Sequence, residues 1–114
     1  GGCCLNATLR DYGRIGLFAL GNGRLADGTR VLPENWMAQS TSPSSAYPGY
    51  GYFWWLQEEG TYQASGIFGQ AIFVDPQHKV VIALHSARPH ASKGSEWALE
   101  SALFTALTQA VLSQ

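Results

Sequence analysis

The sequence predicts an α+β fold: an antiparallel β-meander of three to four strands packed against a C-terminal helix, with an N-terminal helix before it. Three observations predict it. Strand-like runs follow one another between Tyr50 and Ser86, joined by short turn-forming stretches. Links that short favour antiparallel pairing, because a parallel pair needs a long crossover. The segments on either side instead carry apolar residues at helical spacing.

In the first helix, Leu9, Tyr12, Ile15, Gly16, Ala19 and Leu20 make one apolar face. Thr8-Leu9-Arg10-Asp11 fits a capping box, with Asn6 as an alternative cap. Gly21-Asn22-Gly23 ends the helix, since these residues accept a left-handed backbone. "GRLADGTRVL" then reads as a short hairpin turning at Asp27-Gly28. "PENWMAQS" places Pro33 and Glu34 in a first turn and predicts a short helix. "TSPSSAYPG", Thr41 to Gly49, is a loop of turn formers.

"YGYFWWL", Tyr50 to Leu56, predicts the first strand. Alternation would put Tyr50, Tyr52 and Trp54 on one face and Phe53 and Trp55 on the other, as in a strand buried on both sides. "TYQASG", "GQAIFVD" and "KVVIALHS" follow as strands, with Asp75-Pro76-Gln77-His78 as a type I turn between the last two. The closing helix runs from about Ser95 to Leu112. Trp97, Leu99, Leu103, Phe104, Ala106, Leu107, Ala110 and Val111 form its wide apolar face; Ser101, Thr105 and Thr108 mark a narrow polar one. Such a face must cover something, and the sheet is its nearest partner.

The 114 residues suit one domain, and residues 1–114 read as a single region. Only 13% are charged, about half the roughly 25% usual for a soluble domain. An unusual share of the surface is therefore uncharged or covered by other protein. A net charge of −1 and a pI near 6.3 argue against nucleic acid or an anionic membrane surface as the main partner. No apolar run approaches the length of a membrane span. Cys3 and Cys4 are adjacent. A disulfide between neighbours is strained and rare, so they read as two small buried thiols near the first helix. They lack the spacing of a redox or metal pair.

The chain holds no complete catalytic set. Ser-x-x-Lys is absent, because Lys79 and Lys93 have Pro76 and His90 three residues earlier. His78, His85 and His90 read as satisfied or solvated side chains, His85 least so because it ends an apolar strand. No cluster has metal-ligand spacing, and no cofactor is implied. What remains is "YQASGIFGQAIFVDP", Tyr62 to Pro76, which breaks at Gly66 and Gly69 on either side of Ile67-Phe68. A strand without a side chain at Gly66 lets another molecule approach the backbone. The Ile67 N–H would then point at a substrate oxygen, as in an oxyanion hole. A β-bulge that only re-aims the strand fits the same residues equally well. A different function class, a non-catalytic ligand-binding or interaction module, would use Tyr50, Tyr52 and Trp54 as a stacking face.

The order of these elements resembles the C-terminal part of the penicillin-recognising serine hydrolases. These are the class C β-lactamases, their esterase relatives and, most closely, the 6-aminohexanoate-dimer (nylon oligomer) hydrolases. "NATLRDYGRIGLFALGNGRLADGTRVLPENWMAQST" resembles the helix, hairpin and short helix that follow the family's second catalytic motif. "YGYFWWL" resembles its "GYGYxWW" strand, and "GxxGQxxxVDP", Gly66 to Pro76, resembles a fairly specific pattern in its last strands. The resemblance implies the C-terminal portion of a β-lactamase/transpeptidase-like fold.

The family's nucleophilic Ser and its Lys lie in Ser-x-x-Lys and a Tyr in Tyr-x-Asn. Both precede this region and neither occurs in it. The third motif, often Lys-Thr-Gly, falls on Ala64-Ser65-Gly66. The resemblance thus implies a serine hydrolase acting on amide or ester bonds through an acyl-enzyme. Ile67 N–H would supply half the oxyanion hole, and Ala64, Ser65, Gly66 and Phe68 one side of the cleft. Ala64 cannot hold a β-lactam carboxylate as the family's Lys does, which favours an amidase or esterase. Arg88 is a candidate replacement for that charge. The expected partners are a small amide or ester substrate and the N-terminal remainder of the same protein. The fragment alone is expected to be inactive and prone to self-association. Relatives in both cytoplasm and periplasm leave the compartment open.

Overall fold

Residues 4–91 and 94–114 are described in a computed structural model of the chain. Its centre is a four-stranded sheet in the order β1-β2-β3-β4, every pair antiparallel. The strands are β1 Trp55–Leu56, β2 Tyr62–Ser65, β3 Ala71–Asp75 and β4 Val80–Leu84. Helix α1 spans Leu9–Leu20, the short α2 Trp36–Ser40 and α3 Gly94–Leu112. The expected meander and its two flanking helices are therefore present.

The apolar alternation of β3 makes three layers. Ile72 and Val74 join Ala19, Met37, Trp54 and Tyr62 in a core beneath α1. Ala71 and Phe73 point the other way and meet Phe104 of α3. All five residues of β3 are buried, as befits a strand covered on both faces.

Helix α1 begins at the expected cap, Thr8, with the forward half of the box formed. The Asp11 N–H donates to Thr8 Oγ1 at 3.2 Å, and the Thr8 hydroxyl donates to Asp11 Oδ2 at 2.8 Å. After Gly21, the N–H of Gly23 reaches Phe18 O at 3.0 Å, with Gly23 at φ +72°. The helix then packs its Gly16 directly on Val81 of β4.

Four expectations change. Tyr50 to Leu56 is not one strand. A tight reversal pairs Tyr50 with Trp55, closed by Gly51 N–H to Trp54 O at 2.9 Å, with Phe53 at φ +78°. The cause is Gly51, whose bare Cα lies against the Ser40 carbonyl and leaves no room for a side chain. Trp54 consequently turns inward beside Tyr62 while Tyr52 stays exposed, so the three aromatics do not make one exposed face.

The second change is the start of α2. Pro33 leads a separate turn, Trp36 N–H to Pro33 O at 3.0 Å, and the helix begins at Trp36. The third concerns α3. Its buried residues are Glu100, Phe104 and Thr108, while Trp97, Leu99, Leu103, Leu107 and Val111 are exposed. The stripe expected to be polar is partly buried, because an ion pair draws Glu100 inward and one ring fills the space beside Phe73. The fourth is Cys4, which is exposed and not a free thiol. Cys3 lies outside the described residues.

Candidate functional site

β2 and β3 are joined by residues 66–70, where Ser65 still pairs with Ala71. Gly66 N–H donates to Gln70 O at 2.7 Å and Gly69 N–H to Gly66 O at 3.1 Å. These bonds make a tight turn with Ile67 and Phe68 at its tip, 60% and 41% exposed. Gly69 sits at φ +89°, a conformation that side chains other than glycine rarely adopt.

Both glycines are also packed against side chains of this chain. A Cβ on Gly66 would lie 2.6 Å from Gln70 Oε1. That oxygen accepts the Phe68 N–H at 3.3 Å, so the Gln70 side chain folds back over Gly66 and braces the tip. On Gly69 a Cβ would strike the Arg88 side chain, 2.7 Å from its Cδ and 2.8 Å from its Cζ. Within this chain, the bare backbone at Gly66 receives Gln70.

Arg88 enters from the loop after β4. Its N–H donates to Phe68 O at 3.1 Å. Its guanidinium Nη2 donates to Glu100 Oε2 at 2.7 Å, and Nη1 lies 3.7 Å from Glu96 Oε2. Glu100 also accepts from Gln63 Nε2 at 3.2 Å, and the same nitrogen donates to Ser65 Oγ at 2.6 Å. Gln63 and Glu100 are buried polar residues, and partnering is what makes their burial tolerable. The Arg88 charge is thus taken up by two carboxylates. It is not the substrate-facing cation that its sequence position suggested.

Strand alternation separates the two residues before the turn. Ala64 packs toward the core beneath α1, whereas Ser65 bonds to Gln63 on the α3 side.

Residues 2–104 match the family model described as Beta-lactamase. The chain belongs to the Beta-lactamase family. It is 27% identical over 122 residues to a 6-aminohexanoate-dimer hydrolase of Paenarthrobacter ureafaciens, covering 94% of this chain and 31% of that protein. It also superposes on the structure of a putative 6-aminohexanoate-dimer hydrolase from Bacillus anthracis, with a TM-score of 0.78 and 26% identity. That match covers 95% of this chain and 30% of the other. The chain therefore spans just under a third of the length of these Beta-lactamase-family relatives.

Of the residues expected at the site, Ala64, Ser65, Gly66, Ile67 and Phe68 lie together along the end of β2 and its turn. His85 is exposed, with its ring edge-on to Tyr12 at 4.8 Å. His78 bonds through Nδ1 to Asp75 Oδ2 at 2.7 Å in the β3–β4 turn. Among the described residues no His, Cys, Asp and Glu group is placed to hold a metal ion. Sequence reasoning passed over Gln63, Gln70 and Glu100, whose side chains bond around this Beta-lactamase-family turn. One signal for Glu100 was available: it is the only charged residue from Trp97 to Gln114.

Proposed function

We propose that this chain is the C-terminal portion of a serine hydrolase that cleaves amide or ester bonds through an acyl-enzyme. The observation that carries the reading is the glycine-flanked turn at the end of β2, exposed at Ile67 and Phe68 and braced from beneath. Membership of the Beta-lactamase family and likeness to two 6-aminohexanoate-dimer hydrolases support it.

In this reading the Ile67 N–H donates to the oxyanion of the tetrahedral intermediate, and the nucleophile's own N–H supplies the second donor. The Ser, and the Lys and Tyr that carry its proton, belong to a segment outside these 114 residues. Ser65, Gly66 and Phe68 line one wall of the substrate cleft. Ala64 offers no charge and Arg88 is held by Glu100. The wall therefore suits an uncharged acyl chain better than a β-lactam carboxylate, and the substrate is a small amide or ester. The exposed apolar residues of α3 are the surface on which the N-terminal remainder packs, or on which isolated chains meet.

Two measurements test this reading. The purified 114-residue chain should not turn over a p-nitrophenyl ester; steady hydrolysis by it would refute the missing-nucleophile reading. The coding sequence upstream should contain Ser-x-x-Lys followed by Tyr-x-Asn. An upstream sequence without either motif would remove the serine-hydrolase mechanism.

A further inference from the structure

The polar contacts beneath the turn form one continuous chain. It starts at Ser65 Oγ, passes through Gln63 Nε2 to the Glu100 carboxylate, crosses to the Arg88 guanidinium, and returns through the Arg88 N–H to Phe68 O. It therefore grips both flanks of the turn, Ser65 on the way in and Phe68 on the way out. Arg88 also lies flat against Gly69, where any side chain would displace it. The geometry needs a planar cation that reaches a carboxylate while lying along the backbone, which is guanidinium chemistry and not ammonium chemistry.

The position of the anion in α3 is equally telling. Glu100 occupies a buried place on a helix that leaves its leucines exposed. Burying a carboxylate costs free energy unless it is paired and hydrogen-bonded. An apolar residue would serve packing alone at lower cost. A buried pair is better suited to fixing one arrangement of the atoms around it than to adding stability.

We propose that Arg88 and Glu100 are positioning residues: together they fix the orientation of the Gly66–Gly69 turn and so of the Ile67 N–H. The assignment of a catalytic purpose to that orientation rests on the hydrolase reading. The mechanical role does not. Arg88 touches no substrate in this scheme; it acts through the backbone of Phe68 and Gly69. Glu100 acts through Arg88 on one side and Gln63 on the other.

Residue-resolved amide hydrogen exchange on the 114-residue chain tests the proposal without substrate. The buried Gly69 N–H, bonded to Gly66 O, reports on the turn; the Val74 N–H, in the fully buried strand β3, reports on global opening. Arg88→Ala should speed exchange at Gly69 by at least about tenfold relative to Val74. Glu100→Gln keeps the shape and one acceptor, and should give a smaller increase of the same kind. Arg88→Lys keeps the charge without the fork and should fall between Arg88→Ala and the unaltered chain. Equal acceleration at both amides in all three variants would mean that the pair only stabilises the fold, and would overturn the proposal. An unchanged Gly69 rate would overturn it as well. Failure of the hydrolase reading would leave these exchange ratios standing, and the two ideas therefore fail separately.

Discussion

The Phe73 ring of β3 stacks on the Phe104 ring of α3, with centroids 4.9 Å apart and 27° between the planes. Both are buried, and Phe104 is the only large apolar side chain of α3 buried among the described residues. This stack is therefore the fully buried apolar anchor of a 19-residue helix. Phe104→Ala should cost about 3–5 kcal/mol, the range for deleting a buried aromatic. Urea unfolding monitored by circular dichroism would check it. A loss below about 1 kcal/mol would mean that α3 is held chiefly by the Glu100 pair.

Two glycines of α1 should respond to alanine in opposite directions. A Cβ at Gly16 would collide with the stiff, branched Val81 and sit 3.0 Å from Ile72 Cγ2. Gly16→Ala should destabilise by about 1–3 kcal/mol through overpacking. Gly13 has open space around it, and Gly13→Ala should stabilise by about 0.5–1 kcal/mol through helix propensity. Denaturant midpoints of the two variants decide the matter. Changes of the same sign would mean that α1 does not pack on β4 through Gly16.

The β3–β4 turn should make stability sensitive to acid. Burial raises the pKa of Asp75, but hydrogen bonds from the His78 N–H and side chain and from the Gln77 N–H outweigh it, leaving the carboxyl below its ordinary value. A carboxyl whose folded pKa is depressed adds stability above the unfolded value, about 3.9. That stability is lost as the pH falls through the folded value. The unaltered chain should therefore exceed Asp75→Asn in stability at pH 7, and the gap should close as pH falls below about 4. Thermal unfolding across pH 2 to 7 would measure it. A constant gap would contradict the assignment.

The apolar surface of α3 predicts association of the isolated chain. Leu99 is 73% exposed, Leu103 and Leu107 are exposed on the same side of the helix, and Trp97 is exposed as well. Sedimentation velocity should show a concentration-dependent increase in mass. Leu99→Lys with Leu103→Lys should abolish it, because a charged patch neither buries well nor attracts its own copy. Behaviour of the unaltered chain as a monomer at all concentrations would show that this face is not adhesive.

Much of the architecture was legible because its signals are local. Thr8 and Asp11 announce the start of α1, and Asp75-Pro76 announces the β3–β4 turn. The Gly66 and Gly69 breaks mark a tight turn for the same reason. What was not legible depends on partners far along the chain. Nothing near Gly51 in sequence reveals that the Ser40 carbonyl will press on it, yet that contact turns an apparent strand into a reversal. The face of α3 was misjudged because its residues are apolar nearly all round, and periodicity cannot choose a side. Glu100 chose it, through Arg88, 12 positions away. Within the site, the turn residues were visible and their supports were not, since Gln63, Arg88 and Glu100 acquire meaning only when three elements converge.

The three buried residues of α3 stand four apart, at Glu100, Phe104 and Thr108. Four residues advance an α-helix by about 400°, so the line of contact drifts by about 40° at each step. The helix therefore crosses its sheet on a slant and rests on it like a balance beam, with Phe104 as the pivot. Its Glu100 arm ends under the turn, and its Thr108 arm ends away from it. A roll about the pivot swings the carboxylate with it, while fraying beyond Thr108 leaves the carboxylate in place. Helix register upstream of Phe104 thus becomes turn geometry, and register downstream does not.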